Sequence, residues 1–287
     1  MNQPKTKLLA QHINFPHKHI SAFKALCFDL DGTLLALKSH MTPKAYDFLG
    51  TLKSKHQLLL CSARIPSGMR YHQESIGILG APMLCYNGAL SLEGERVVYS
   101  KTITESALET ISLLLDHLDV DWGLYAFDQW WVSKDSERVQ KERYNTQTEP
   151  LWGETRSTIK RLVDEFGGVH KIMLMGDKNN MDLAMEAMAP LQGASLVYFR
   201  SNDTLIEIAP SGVGKKEGVT QLLGDHGLLE AMAFGDNDND IALLDASGWG
   251  VAVQNAKPLV KSIADAVTPL SCADDGVIDY LNMCYGQ

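Results

Sequence analysis

Short apolar runs recur along the chain, and each breaks off abruptly into small or polar residues. They are ALCFDL at 25–30, QLLLCS at 57–62, PMLCYN at 82–87, AMAFGD at 231–236 and WGVAV at 249–253. A run of this length that ends in Asp, Ser, Asn or Gly reads as a buried strand entering a loop. Between the runs, apolar residues fall at helical spacing. Ala45, Phe48, Leu49 and Leu52 follow Thr42-Pro43, a cap residue and a first-turn proline, and Ile241, Leu244 and Asp245 lie on a helix that Gly248 ends. Strands buried on both faces and alternating with helices predict an α/β fold built on a doubly wound parallel sheet.

The middle of the chain departs from that rhythm. Strands are expected at 96–100, 120–127, 129–133, 169–175, 195–200 and 204–208. Helices are expected at 104–118, at 154–166 (ended by Gly167-Gly168) and at 179–189. Because runs of the first kind stand on both sides of this stretch, it reads as a second α/β unit inserted into the first. The division expected is an N-terminal extension at 1–23, a core at 24–89 and 201–287, and an insertion at 90–200. No internal repeat is visible.

Of the 287 residues 45% are hydrophobic, which is ample for a sizeable core. Lys and Arg number 26 against 35 Asp and Glu, a formal net charge of −9. That balance argues against nucleic acid and anionic membrane as partners, since both are bound through Lys and Arg. The first 24 residues hold no continuous apolar stretch of the kind a signal peptide or membrane span needs. Cys27, Cys61, Cys85, Cys272 and Cys284 are odd in number and lack CxxC spacing, so buried reduced thiols and a cytoplasmic location are expected. His12, His17 and His19 offer possible metal ligands, but a solvated, loosely packed extension is the simpler reading.

In an open parallel sheet, ligands bind outside the carboxyl ends of the strands. Asp29 and Asp31, Ser62, Asn87 and Asp236 all stand at such ends, so the fold itself predicts that they converge. Carboxylates brought together without compensation repel one another and resist ionisation. A divalent cation answers this, and a donor set of oxygens alone favours Mg2+. No His or Cys stands in these motifs, which argues against zinc.

The run Asp29-Leu30-Asp31-Gly32-Thr33-Leu34 resembles the first motif of the haloacid dehalogenase (HAD) superfamily. Ser62-Ala63-Arg64 resembles the second, Gly212-Val213-Gly214-Lys215 the third, and Gly235-Asp236-Asn237-Asp238-Asn239-Asp240 the fourth. Asn87-Gly88-Ala89, Val251-Ala252-Val253-Gln254-Asn255-Ala256 and Asp275-Gly276-Val277 are similar to features of its Cof-type subfamily. The resemblance spans about residues 24–284. It implies a Rossmann-like core with an inserted α/β cap that closes over the leaving group and sets specificity.

The resemblance also implies roles. Asp29 would be the nucleophile, forming an aspartyl phosphate, and Asp31 the general acid and base. Mg2+ would be held by Asp29, the Asp31 carbonyl and Asp236. Ser62, Ala63, Lys215, Asn239 and Asn87 would bind phosphate, with backbone amides around Leu30–Thr33 and Ala63 as fixed donors. Asp240 would orient metal-bound water or Lys215. The activity implied is a Mg-dependent phosphatase of small phosphorylated metabolites, either sugar phosphates or phosphorylated cofactors. A phosphomutase and, from another class, a non-catalytic phospho-ligand-binding module are the alternatives. Oligomeric state is not legible.

Plainer readings stand beside these roles. Asp31-Gly32-Thr33 and Asn87 can serve turns, Ser62 can cap a helix, and 235–240 can be a surface acidic loop or calcium site. Arg64 suits a substrate contact or an ion pair equally. Two residues depart from the family pattern. Ala63 stands where Gly is usual and fits only with negative φ. Lys216 replaces a Gly beside Lys215 and is a rival for its role. Trp122, Tyr125, Phe127, Trp130 and Trp131, with Asp128 and Lys134 nearby, suggest an aromatic clamp, yet aromatics in strands are usually core. Met173, Met175, Met181, Met185 and Met188 likewise read as packing.

Overall fold

In a computed structural model, which describes residues 14–37, 39–193 and 195–286, the five apolar runs are all strands. In chain order the first elements are β1 (Ala25–Asp29), α1 (Pro43–Leu52), β2 (Gln57–Cys61), α2 (Ser67–Ile76), β3 (Pro82–Cys85), β4 (Leu90–Glu93) and β5 (Arg96–Ser100). Next come α3 (Glu105–Leu115), β6 (Asp121–Ala126), β7 (Gln129–Val132), α4 (Glu137–Thr146), β8 (Leu151–Trp152), α5 (Thr155–Phe166), β9 (Lys171–Met175), α6 (Lys178–Met188), β10 (Leu196–Asn202) and β11 (Leu205–Pro210). The chain closes with α7 (Lys215–Leu229), β12 (Ala231–Gly235), α8 (Ile241–Ala246), β13 (Trp249–Ala252), α9 (Pro258–Ile263), β14 (Ala266–Val267) and α10 (Gly276–Tyr285).

Every residue of β1 is buried, as a central strand demands. The first sheet runs β14-β13-β12-β1-β2-β3-β4-β5. β1 is parallel to β2 and β12, with Asp29 level with Cys61 and Phe28 level with Phe234. β3, β13 and β14 extend the parallel set, and β4 returns antiparallel to β3. This is the doubly wound sheet expected, with an antiparallel edge added. The second sheet runs β10-β11-β9-β6-β7-β8; its pairings are antiparallel except β7 with β8.

The chain separates into two compact units. Among the described residues, one holds 14–63, Met69–Val98 and 214–286; the other holds Arg64–Gly68 and Tyr99–Val213. The main stretch of the second unit thus runs from Tyr99 to Val213, where 90–200 was expected, and Arg64–Gly68 joins it. Hydrogen bonding explains both shifts. The strand read at 96–100 continues the first sheet beyond the β3–β4 pair, while β11 is locked between β9 and β10.

Within the second unit, Trp122, Leu124, Ile172 and Leu174 meet Leu108, Ile111, Leu162, Met181 and Met188 from α3, α5 and α6 in one core. Trp130 stacks on Tyr125, and both are buried. Trp122 and the buried methionines are therefore packing residues here. Helix α4 left no periodic trace in the sequence, because ERVQKERYNT buries only Val139 and Thr146.

Residues 14–23 correct the expectation of a loosely packed extension. Phe15 stacks on Tyr280, His17 meets the edge of Trp249, and Ile20 and Phe23 are fully buried. The Asn14 amide donates to the Asp265 carbonyl, and the Tyr280 hydroxyl donates to the Asn14 carbonyl. His19 accepts from the Ser21 amide at the start of a 3-10 turn, Ile20–Ala22. Four apolar or aromatic side chains in ten residues found surface to cover, so His17 and His19 serve packing and capping. His12 lies outside the described residues.

Candidate active site

The first unit places its polar strand ends together. Lys215 opens α7 and points inward, since the buried residues of that first turn are Lys215, Gly218 and Val219. Its Nζ donates to Asp29 Oδ1 at 2.5 Å and to Asp240 Oδ1 at 2.6 Å. All three residues are buried. Lys216, one position along the helix, is only half-buried, so of the two adjacent lysines it is Lys215 that reaches Asp29.

Asp240 is held from both sides. Its second oxygen, Oδ2, accepts from the Asp236 and Asn237 amides at 3.0 and 3.1 Å. Asn237 caps the short turn that carries Asp240, and the two make a reciprocal capping box. Carboxylate oxygens of Asp29, Asp236 and Asp240 lie within 4.8 Å of one another. Asp29 and Asp236 are two of the ligands expected, and the third is the Asp31 backbone carbonyl, which a set of side-chain oxygens does not include. Both Asp240 oxygens thus already accept hydrogen bonds within the protein.

Asp29 Oδ2 is buried and has no hydrogen-bond partner among the described residues. Burial is the largest influence on Asp29 and pushes its carboxyl up to about 8; the Lys215 ammonium opposes this, and Asp240 and Asp236 reinforce it. Asp236 is pushed up to about 6 by burial first, then by Asp240 and, more weakly, Asp31. Burial alone would lower Lys215, but Asp240 and Asp29 outweigh it and hold the ammonium above its usual range. One ammonium does not offset this much negative charge. An orphaned buried carboxylate oxygen among oxygen donors fits a hard divalent cation. Cys272 lies close enough for these carboxylates to act on it, yet burial first, then Asp236 and Asp29, push its thiol up to about 12.

The loop after β1 turns sharply. Gly32 has φ +90°, and a Cβ there would lie 2.5 Å from Asp236 Oδ2, so both the turn and the approach require glycine. The Gly32 amide donates to the Leu35 carbonyl and the Thr33 amide to the Leu30 carbonyl. Those two amides are therefore spent within the turn, a correction to their expected role as phosphate donors. Thr33 Oγ1 lies 3.5 Å from Asp236 Oδ1.

Ser62 is buried at the end of β2; its amide donates to the Leu84 carbonyl and its carbonyl accepts from the Asn87 amide. Helix α2 begins five residues later, so Ser62 caps no helix. Ala63 keeps φ negative, which removes the objection to it. Arg64 is buried. Asn87 sits in a left-handed turn after β3, and its Oδ1 accepts from Asn239 Nδ2 at 3.0 Å. Sequence reasoning missed one contact set that the structure adds: Asn255, noted only as part of a motif, donates to the Gly32 carbonyl.

Comparisons with known proteins agree with this geometry. The sequence profile of the haloacid dehalogenase-like hydrolases matches residues 26–281. The pyridoxal phosphate phosphatase YbhA of Escherichia coli is 26% identical over 85% of this chain and 92% of its own. The 5-amino-6-(5-phospho-D-ribitylamino)uracil phosphatase YitU of Bacillus subtilis is 24% identical over 89% of this chain and 95% of its own. A solved haloacid dehalogenase-like hydrolase from Bacteroides thetaiotaomicron shares the fold, with a TM-score of 0.81 at 24% identity over 91% of this chain and 99% of that one.

Proposed function

The chain belongs to the haloacid dehalogenase-like hydrolases and is a phosphoric monoester hydrolase; on that premise we propose that it cleaves small phosphorylated metabolites through an aspartyl phosphate on Asp29, with Mg2+ as cofactor. The observation that carries this reading is the state of Asp29. One oxygen is tied to Lys215, and the other is buried without a partner among the described residues. A carboxylate so placed is oriented and poorly solvated, which suits a nucleophile that works beside a cation.

In the first step a carboxylate oxygen of Asp29 forms a bond to phosphorus, the bond from phosphorus to the ester oxygen breaks, and Asp31 gives its proton to the departing oxygen. In the second, water attacks phosphorus and loses its proton to the Asp31 carboxylate, and the bond to Asp29 breaks to release inorganic phosphate. Asp29, the Asp31 carbonyl and Asp236 would hold Mg2+, which when bound neutralises charge between nucleophile and phosphate. Lys215, Ser62, Ala63, Asn87 and Asn239 bind and orient the phosphoryl group, and Asp240 aims Lys215.

The relatives' names point to phosphate esters of pyridoxal and of a ribitylaminouracil, so phosphorylated cofactors and sugar phosphates are the substrate classes proposed. Among the described residues no helix is long and apolar enough to cross a membrane. All five cysteines are buried thiols outside any disulfide, which suits a reducing cytoplasm.

The test is phosphate release from a panel of phosphorylated metabolites, with Mg2+ and then with chelator, beside Asp29→Asn. Turnover that needs Mg2+ and is lost in the variant is expected. No release from any ester by folded, Mg-loaded protein, or undiminished turnover by Asp29→Asn, would overturn the reading.

A further inference from the structure

Two sequence features take no part in the chemistry above: the motif ending in Asn255-Ala256, and Asp275-Gly276-Val277. In the structure both converge on residues 271–276, and from there they grip the two ends of segment 32–42. At its start, Asn255 Nδ2 donates to the Gly32 carbonyl at 2.8 Å, while Asn255 Oδ1 accepts from the Cys272 amide at 2.7 Å. A carbonyl on one side and an amide on the other leave the Asn255 side chain one orientation. At its end, Asp275 Oδ1 accepts from Thr42 Oγ1 at 2.7 Å, and Thr42 Oγ1 accepts from the Ala45 amide as the cap of α1.

The anchor itself is stiff. The Gly276 amide donates to the Ser271 carbonyl at 2.9 Å, Asp275 stands at φ +56°, and a Cβ on Gly276 would meet the Leu270 carbonyl at 2.0 Å. What it holds is the peptide joining Gly32 to Thr33. That peptide is fixed on both sides, by Asn255 at its carbonyl and by the bond from the Thr33 amide to the Leu30 carbonyl. Asp31 is the residue between those two anchored points, so the aim of its carboxylate and carbonyl follows from them. Asn255 is exposed, and water would satisfy both backbone groups in its absence. Its bonds therefore contribute little to stability, and geometry is what they supply.

We propose that Asn255 and Asp275 are positioning residues for phosphoryl transfer, which set the loop carrying Asp31 from the far end of the chain. Neither touches the reacting atoms. The inference rests on the phosphatase reading, and its test separates the two.

Wild type, Asn255→Ala, Asn255→Asp, Asp275→Ala and Asp275→Asn are compared by steady-state kinetics on the best ester, by thermal unfolding, and by calorimetric titration with Mg2+ without substrate. Asn255→Ala should lower kcat about 10- to 100-fold, the range typical of groups that orient a metal site or catalytic residue, with KM within about threefold. Asn255→Asp should be as slow, since it keeps the acceptor for Cys272 but turns an oxygen toward the Gly32 carbonyl. Asp275→Asn keeps an acceptor for Thr42 and should recover most of the kcat lost in Asp275→Ala. Mg2+ should bind several-fold more weakly to Asn255→Ala.

Wild-type kcat and Mg2+ affinity in both Asn255 variants would overturn the proposal. So would losses that follow unfolding temperature alone, since a purely structural contact would produce those. Absence of turnover in the wild type would instead sink the phosphatase reading, and the Mg2+ titration would still decide whether Asn255 sets the loop.

Discussion

Lys215 is where a single residue decides most. Two lysines stand side by side in the sequence, and a helix turns about 100° per residue, so only one can face Asp29. Which one depends on where the helix starts, and no composition or spacing fixes that to one residue. The structure starts α7 at Lys215 and turns that side chain into the core. Replacing it with Met keeps the length and removes the ammonium, leaving Asp29 and Asp240 buried without it. Breaking such a buried pair costs about 3–5 kcal/mol, so the urea midpoint of Lys215→Met should fall sharply. Saturating Mg2+ should restore part of it by mass action, with Na+ at equal ionic strength restoring none. Phosphate release should drop by a factor of about 100 or more, as when one preorganised charged donor is removed. An unchanged urea midpoint would mean that Lys215 does not compensate the cluster.

At the scale of elements, what the sequence disclosed was the part with a simple physical signature. A strand buried on both faces has to be a continuous apolar run, so β1, β2, β3, β12 and β13 were legible, and with them the convergence of Asp29, Ser62, Asn87 and Asp236. Conformation at the strand ends has no such signature. Tyr86, Asn87 and Gly88 form three successive left-handed residues, at φ 53°, 53° and 102°. Two of them are not glycine, which costs roughly 1–2 kcal/mol apiece. The turn is held because Gly88 presses on the start of α7: a Cβ there would sit 2.2 Å from the Gly214 carbonyl, the residue before Lys215. Gly88→Ala adds a side chain to positive φ and forces two backbones apart. We expect a stability loss of roughly 1–3 kcal/mol, read as a lower urea midpoint. A fall in kcat should accompany it, because both Asn87 and Lys215 shift. Full activity in the variant would show that the contact positions neither. The strands at 90–93 and 96–100 illustrate the other limit. Leu90-Ser91-Leu92-Glu93 alternates in sequence and Arg96-Val97-Val98-Tyr99-Ser100 does not, and only pairing reveals which sheet they join.

The molecule as a whole is two units with separate cores, and a buried histidine makes the second respond to acid. His170 is fully buried. Its Nδ1 accepts from the Phe127 amide at 3.2 Å, and its Nε2 lies 2.9 Å from Ser100 Oγ. That pattern assigns the proton to Nε2, and a second proton on Nδ1 would set two donors against each other. Burial lowers the pKa of His170 from 6.5 to about 4. Between those values the unfolded chain binds the proton and the folded chain does not, so stability is complete above about pH 6.5 and is lost as pH falls toward 4. The shift corresponds to about 3 kcal/mol at 1.36 kcal/mol per pKa unit. His56, in the first unit, is also lowered, chiefly by burial, so acid acts there as well and the measurement has to be a difference. His170→Gln retains an acceptor and cannot gain a proton. Urea unfolding at pH 7.5 and 4.5, with hydrogen exchange in β6, β7 and β9, should show the wild type losing about 2.5 kcal/mol more than the variant, most of the full shift. The extra loss of protection should be confined to those strands. Equal losses in the two proteins would mean that His170 is protonated without cost when folded, and that the acid response lies in the first unit.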